Sequence, residues 1–95
     1  MSRDIATTHA IIYGRVQGVG YRAWTIDKAQ ILGLTGWVRN RSNGSVEAVF
    51  CGVSADVDAM VEACYSGPTL ARVDSIKMTP AENKGWDEFH WKETV

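Results

Sequence analysis

The sequence lacks most of the features that commit a chain to a specialised class. Two cysteines and two histidines occur among 95 residues. Cys51 and Cys64 sit in apolar patterns, which favours free thiols over a disulfide or redox pair. They read as buried free thiols in a reducing compartment. His9 and His90 have no second ligand at metal spacing, so no metal site is expected. No apolar run approaches the roughly 20 residues of a membrane span. No apolar stretch follows Met1-Ser2-Arg3-Asp4 as a secretory signal would require, so a cytoplasmic location is expected. Neither sign of charge is in excess, with a net charge of −1. That argues against a dedicated nucleic-acid surface, which shows a basic surplus. Repeats, low-complexity tracts and linkers are also missing.

What remains is the balance of an ordinary globular domain: 45% hydrophobic and 22% charged residues. The length bounds it to one domain over residues 1–95, with 1–6 as a loose terminus. The expected state is monomeric, because no exposed apolar stripe is evident.

Thr8–Gly14 is β-branched and apolar and predicts a first strand. Arg22–Leu32 predicts a helix, with Tyr21, Thr25, Ala29 and Leu32 at helical spacing and Gly33 as its stop. Strands follow at Thr35–Asn40 and Ser45–Cys51, joined by an Asn43-Gly44 hairpin turn. Ser54 is a fitting N-cap, with Asp56 and Asp58 in the first turn. Val57, Met60, Val61 and Cys64 then form a buried helical stripe that ends at Ser66-Gly67-Pro68. Arg72–Met78 predicts a further strand, and Trp86–Lys92 a last one with Phe89 and Trp91 facing the same way. The order βαββαβ, with the division of the last two strands left open, predicts an α+β, ferredoxin-like sandwich: an antiparallel sheet with two helices on one face and strands one and three in the middle.

The chemistry concentrates in Gly14-Arg15-Val16-Gln17-Gly18-Val19-Gly20-Tyr21-Arg22. Three glycines in seven positions, between a strand and a helix, let the backbone curl and expose successive N–H groups. Such a curl at a helix N-terminus is an anion cradle. Arg22 adds a planar fork of donors that matches a phosphate edge. Arg15, Arg39 and Arg41 also flank the two loops expected to meet. Three phosphate-loop readings compete. A Walker A loop needs a Lys-Ser/Thr pair, and Tyr21-Arg22 stands there instead. The dinucleotide fingerprint matches Gly18, Gly20 and Ala23, but the next strand ends in Arg39-Asn40, with no acidic residue for a ribose. The third is a bare anion nest with an arginine.

Together with Gly36-Trp37-Val38-Arg39-Asn40 and Gly44-Ser45-Val46-Glu47, the loop resembles the paired signatures of the acylphosphatase family. The similarity extends over essentially the whole chain. It implies hydrolysis of the carboxyl–phosphate bond of small acyl phosphates to carboxylate and inorganic phosphate. No metal, cofactor or covalent intermediate is implied. Arg22 matches the arginine that holds the phosphoryl group, and Asn40 the asparagine that orients the attacking water. Arg15, Val16, Gln17, Gly18, Val19 and Gly20 match the backbone phosphate cradle, with Gln17 expected to contribute its N–H alone. Trp37 and Tyr21 are expected to pack rather than touch substrate. Tyr21 adds a hydroxyl near the pocket, and Arg41 an extra positive charge.

Two rivals share the fold class. A non-catalytic RNA-binding sheet would display aromatics in an R/K-G-F/Y-type strand, which Ser45–Cys51 does not have. An acyl-phosphate-handling domain of a larger carbamoyl-transfer enzyme would be accompanied by cysteine-rich zinc segments.

Overall fold

The structure is a computed structural model that describes residues 4–95. In chain order the elements are β1 (Ile5–Arg15), α1 (Tyr21–Ile31), β2 (Thr35–Asn40), β3 (Val46–Val53), α2 (Ser54–Cys64), β4 (Arg72–Pro80) and β5 (Phe89–Trp91). The strands form one sheet in the order β4-β1-β3-β2-β5. β1 and β3 lie side by side in its middle, as right-handed crossovers require. Four strands are antiparallel as expected, and β5 adds one parallel pair along β2.

Both helices cover the same face. α1 packs over β2 and β5, and α2 over β1 and β3. The core between the layers holds alternate strand residues, among them Ala10, Ile12, Val38, Val46, Ala48 and Phe50. From the helices it receives Tyr21, Thr25 and Ala29, and the stripe Val57, Met60, Val61 and Cys64. Cys51 and Cys64 are buried free thiols. Burial pushes the Cys64 thiol up to about 12, so it is an unreactive packing group.

Several boundaries differ from the sequence reading. β1 begins at Ile5, because its register with β3 runs on to Ile5 opposite Val53. The supposed loose terminus is thus partly strand, and residues 1–3 of it lie outside the described residues. Ser54 is the first helical residue of α2 rather than its cap. Val53 occupies the cap position, and the Ser54 amide donates to the Asp4 carbonyl at 2.7 Å. The last strand shortens to Phe89–Trp91 because the chain must first cross the sheet. β4 and β5 lie at opposite edges, four strand spacings or about 19 Å apart. The connecting residues 81–88 reach about 26 Å when fully extended. They run over the open face, tied down at the two ends where the Ala81 amide donates to the Thr7 carbonyl and the Gly36 amide to the Glu88 carbonyl. Ala81, Glu82, Lys84 and Trp86 border a hollow there with Trp37, Arg39, Val49 and Lys92.

β3 is buried on both faces. On the open face Val49 borders that hollow, and Glu47, 9% exposed, accepts from Arg39 Nε at 2.6 Å, with His9 Nε2 at 2.7 Å. Burial pushes the Glu47 carboxyl up, but the hydrogen bonds and charges of His9 and Arg39 outweigh it and hold the carboxyl below its ordinary value. A lowered folded value means that this stabilisation is complete above the unfolded value of 4.5 and is lost as pH falls through the folded one. Glu47→Gln is therefore expected to cost about 1–2 kcal/mol at neutral pH. In urea melts against pH, the gap between native and variant should close below the unfolded value. A gap that stays constant down to strong acid would show that the ion pairs contribute nothing.

Candidate active site

The loop Val16–Gly20 joins β1 to α1 at one end of the sheet. Gly18 and Gly20 have φ of +73° and +78°, a left-handed conformation that glycine adopts without steric cost. This curl leaves the amides of Gln17, Gly18, Val19 and Gly20 without an acceptor among the described residues. Gly20 caps α1 with no side-chain bond, and no acidic residue occupies the first turn. The helix start thus keeps its unpaired N–H groups and positive dipole end uncompensated, unlike α2, which carries Asp56.

A cleft of about 160 Å³ opens over this loop, lined by Val16, Gln17, Gly18, Gly20, Arg22, Asn40 and Trp91, with Tyr21 and Ala23 completing the wall. Arg22 and Asn40, far apart in sequence, therefore meet in one small hollow. Asn40 ends β2 on the helix-facing side, and its side chain makes no hydrogen bond among the described residues. Its backbone is held, since its carbonyl accepts from the Val95 amide at 3.2 Å. No carboxylate, imidazole or thiol lines the cleft. A larger groove of about 510 Å³ lies at the β1–β4 edge, but its lining carries no charged side chain and suits no anion.

The Gln17 side chain does more than the sequence suggested. Its Nε2 donates to the carbonyls of Arg41 at 2.7 Å and Ser45 at 2.8 Å. Both carbonyls belong to the β2–β3 hairpin that follows Asn40, so Gln17 ties the amide cradle to the strand end carrying Asn40. Trp91 was not expected at the site. Its ring covers the Arg22 guanidinium, with Cζ 3.9 Å from the ring centroid. The alternation Phe89-x-Trp91 predicts only that the two residues face the same way. Their distance from the loop in sequence hid where β5 would dock.

Other expected neighbours lie elsewhere. Arg15 is exposed at the end of β1 opposite Arg72, and Val19 packs toward the core, so neither side chain lines the cleft. Arg39 points to the opposite face, onto Glu47 and over the Trp37 ring. Arg41 lends its backbone to the hairpin, and its side chain is outside the lining. The Tyr21 hydroxyl turns away from the cleft and donates to the Cys64 carbonyl. Burial pushes the Tyr21 phenol far above its ordinary value, so it stays neutral.

Residues 8–91 match the acylphosphatase family model. The chain belongs to the acylphosphatase family. It is 58% identical over 69 residues to an acylphosphatase of Rhodospirillum rubrum, covering 73% of this chain and 76% of that one. The solved acylphosphatase of Coxiella burnetii superimposes with a TM-score of 0.87 at 32% identity, covering 97% of this chain and 94% of that one. That of Bacillus subtilis gives 0.86 at 32%, covering 97% and 99%. The acylphosphatase reaction, hydrolysis of an acyl phosphate to a carboxylate and phosphate, is thus assigned to this chain by both sequence and fold.

Proposed function

We propose that this acylphosphatase acts without a metal, by attack of a water positioned by Asn40 on a phosphoryl group held by Arg22 and the free loop amides of Gln17, Gly18, Val19 and Gly20. The convergence of free amides, Arg22 and Asn40 on one cleft carries this reading. An acyl phosphate has a carboxylate leaving group that departs without a strong acid. The enzyme then needs to neutralise charge on the phosphoryl oxygens and aim the nucleophile. Amides and a guanidinium do the first. A carboxamide does the second, since it accepts from and donates to water but cannot serve as a base at neutral pH. The water oxygen bonds to phosphorus as the phosphorus–acyl oxygen bond breaks. The water proton passes to a phosphoryl oxygen, and the carboxylate leaves with the bonding pair.

The donor set supports the metal-free reading, because a divalent cation seeks carboxylates or imidazoles and the lining offers neither. Phosphate release from acetyl phosphate should be unchanged by EDTA. Activity lost on chelation and restored by a divalent ion would overturn the proposal. We place the enzyme in the cytoplasm as a monomer. No helix of the described residues is long and apolar enough to cross a membrane, and the buried Cys51 and Cys64 thiols suit a reducing compartment.

A further inference from the structure

We infer that Trp91 selects the acyl group, favouring substrates in which a flat, aromatic acyl group can lie against its ring. The inference rests on the phosphoryl-binding reading of the cleft and adds the part of the substrate that reading leaves open.

With the phosphoryl group on the amides and Arg22, the acyl group must point out of the small cleft and meet its rim. Val16 and Tyr21 are almost wholly buried and offer a ligand little surface. Gln17 is engaged by the hairpin, and the loop itself is backbone and glycine. The exposed apolar surface on the lining reduces to the Ala23 methyl and the Trp91 ring, which is 53% exposed.

Trp91 is also held in place. Phe89, two residues earlier on the same face, is buried and stacks on Phe50 with centroids 5.7 Å apart. The Lys92 amide donates to the Val38 carbonyl at 2.9 Å, fixing the backbone next to Trp91 on β2, two residues before Asn40. One part of the ring is occupied by Arg22. A guanidinium stacked by its face keeps its N–H edges free for phosphoryl oxygens. A substrate gripped by those edges carries its carbonyl substituent alongside the ring. An aryl group there gains stacked or edge-on contact with the indole, whereas a methyl group covers far less of it.

The test compares benzoyl phosphate with acetyl phosphate in the native enzyme, Trp91→Ala and Trp91→Phe. The native enzyme should favour benzoyl phosphate in kcat/KM by about tenfold, the scale of one aromatic contact. Trp91→Ala should lose most of that preference through a raised KM for the aromatic substrate, and Trp91→Phe should retain most of it. A role confined to holding Arg22 would lower both activities alike and leave the ratio unchanged. That result, or an unchanged ratio with full activity, overturns the inference. Calorimetric binding of phenylphosphonate against methylphosphonate supplies an arm that needs no turnover. If neither acyl phosphate is hydrolysed, the catalytic reading fails by itself. A phenylphosphonate preference that vanishes in Trp91→Ala would still support selection by the ring, and equal binding of the two phosphonates would overturn it.

Discussion

Arg22→Ala is expected to lower kcat/KM for an acyl phosphate by about a thousandfold or more, the scale on which an arginine stabilises phosphoryl transfer. The cradle amides are partial positive charges on a fixed frame, whereas Arg22 is the one full positive charge lining the cleft. Spreading charge over the phosphoryl oxygens in the transition state therefore depends on it. Inorganic phosphate should bind more weakly too, because product and transition state present the same oxygens. Arg22→Lys should recover part of the binding and little of the rate, since an ammonium supplies charge without the planar fork. Stability gives the control. Arg22 is half-buried at the start of α1 and makes no salt bridge among the described residues; its stacking on Trp91 is worth about 1 kcal/mol, so the variant should still fold and melt within about 1–1.5 kcal/mol of native. An Arg22→Ala enzyme that kept near-native kcat/KM would remove the guanidinium from the mechanism.

How far the sequence discloses this arrangement depends on the range of the interactions involved. The α2 stripe Val57, Met60, Val61 and Cys64 is legible because its period is that of the helix and its burial needs only one partner face. β2 and the Asn43-Gly44 turn are legible because turn chemistry is local: Ser45 donates to the Asn43 side chain at 3.0 Å within the turn itself. The cradle is legible because glycines at positive φ leave a compositional mark. The Gln17 bridge is not, since its partners are backbone carbonyls of a hairpin some 24 and 28 positions away, and a carbonyl has no residue identity. β5 is similar. Its three residues pair in parallel with β2, and nothing in Phe89-His90-Trp91 specifies which sheet edge it joins. The site position of Trp91 follows from that docking alone. Arg39 shows the converse. Its place beside Asn40 suggested a role at the cleft, but strand alternation sends neighbouring side chains to opposite faces.

Asn40→Ala separates binding from chemistry in a way that Arg22→Ala does not. The carboxamide is proposed to touch the water and not the phosphoryl oxygens. Its loss should lower kcat by about a hundredfold or more, the cost of losing an oriented nucleophile. The affinity for inorganic phosphate should change by less than about threefold, because the cradle and Arg22 stay in place. The fold should be indifferent. The Asn40 side chain has no hydrogen-bond partner among the described residues, and the bond from the Val95 amide reaches its backbone carbonyl, which alanine keeps. Asn40→Asp should not rescue the rate. A carboxylate would offer a base, but it would sit beside a doubly negative phosphoryl group and repel it. The proposed proton route adds a second constraint. With the phosphoryl oxygen as acceptor, kcat of the native enzyme should be flat from about pH 6 to 8, because no group lining the cleft titrates there. A bell-shaped profile centred near neutrality, or an Asn40→Ala enzyme that turns over an acyl phosphate at the native rate, would show that the water is activated by another group.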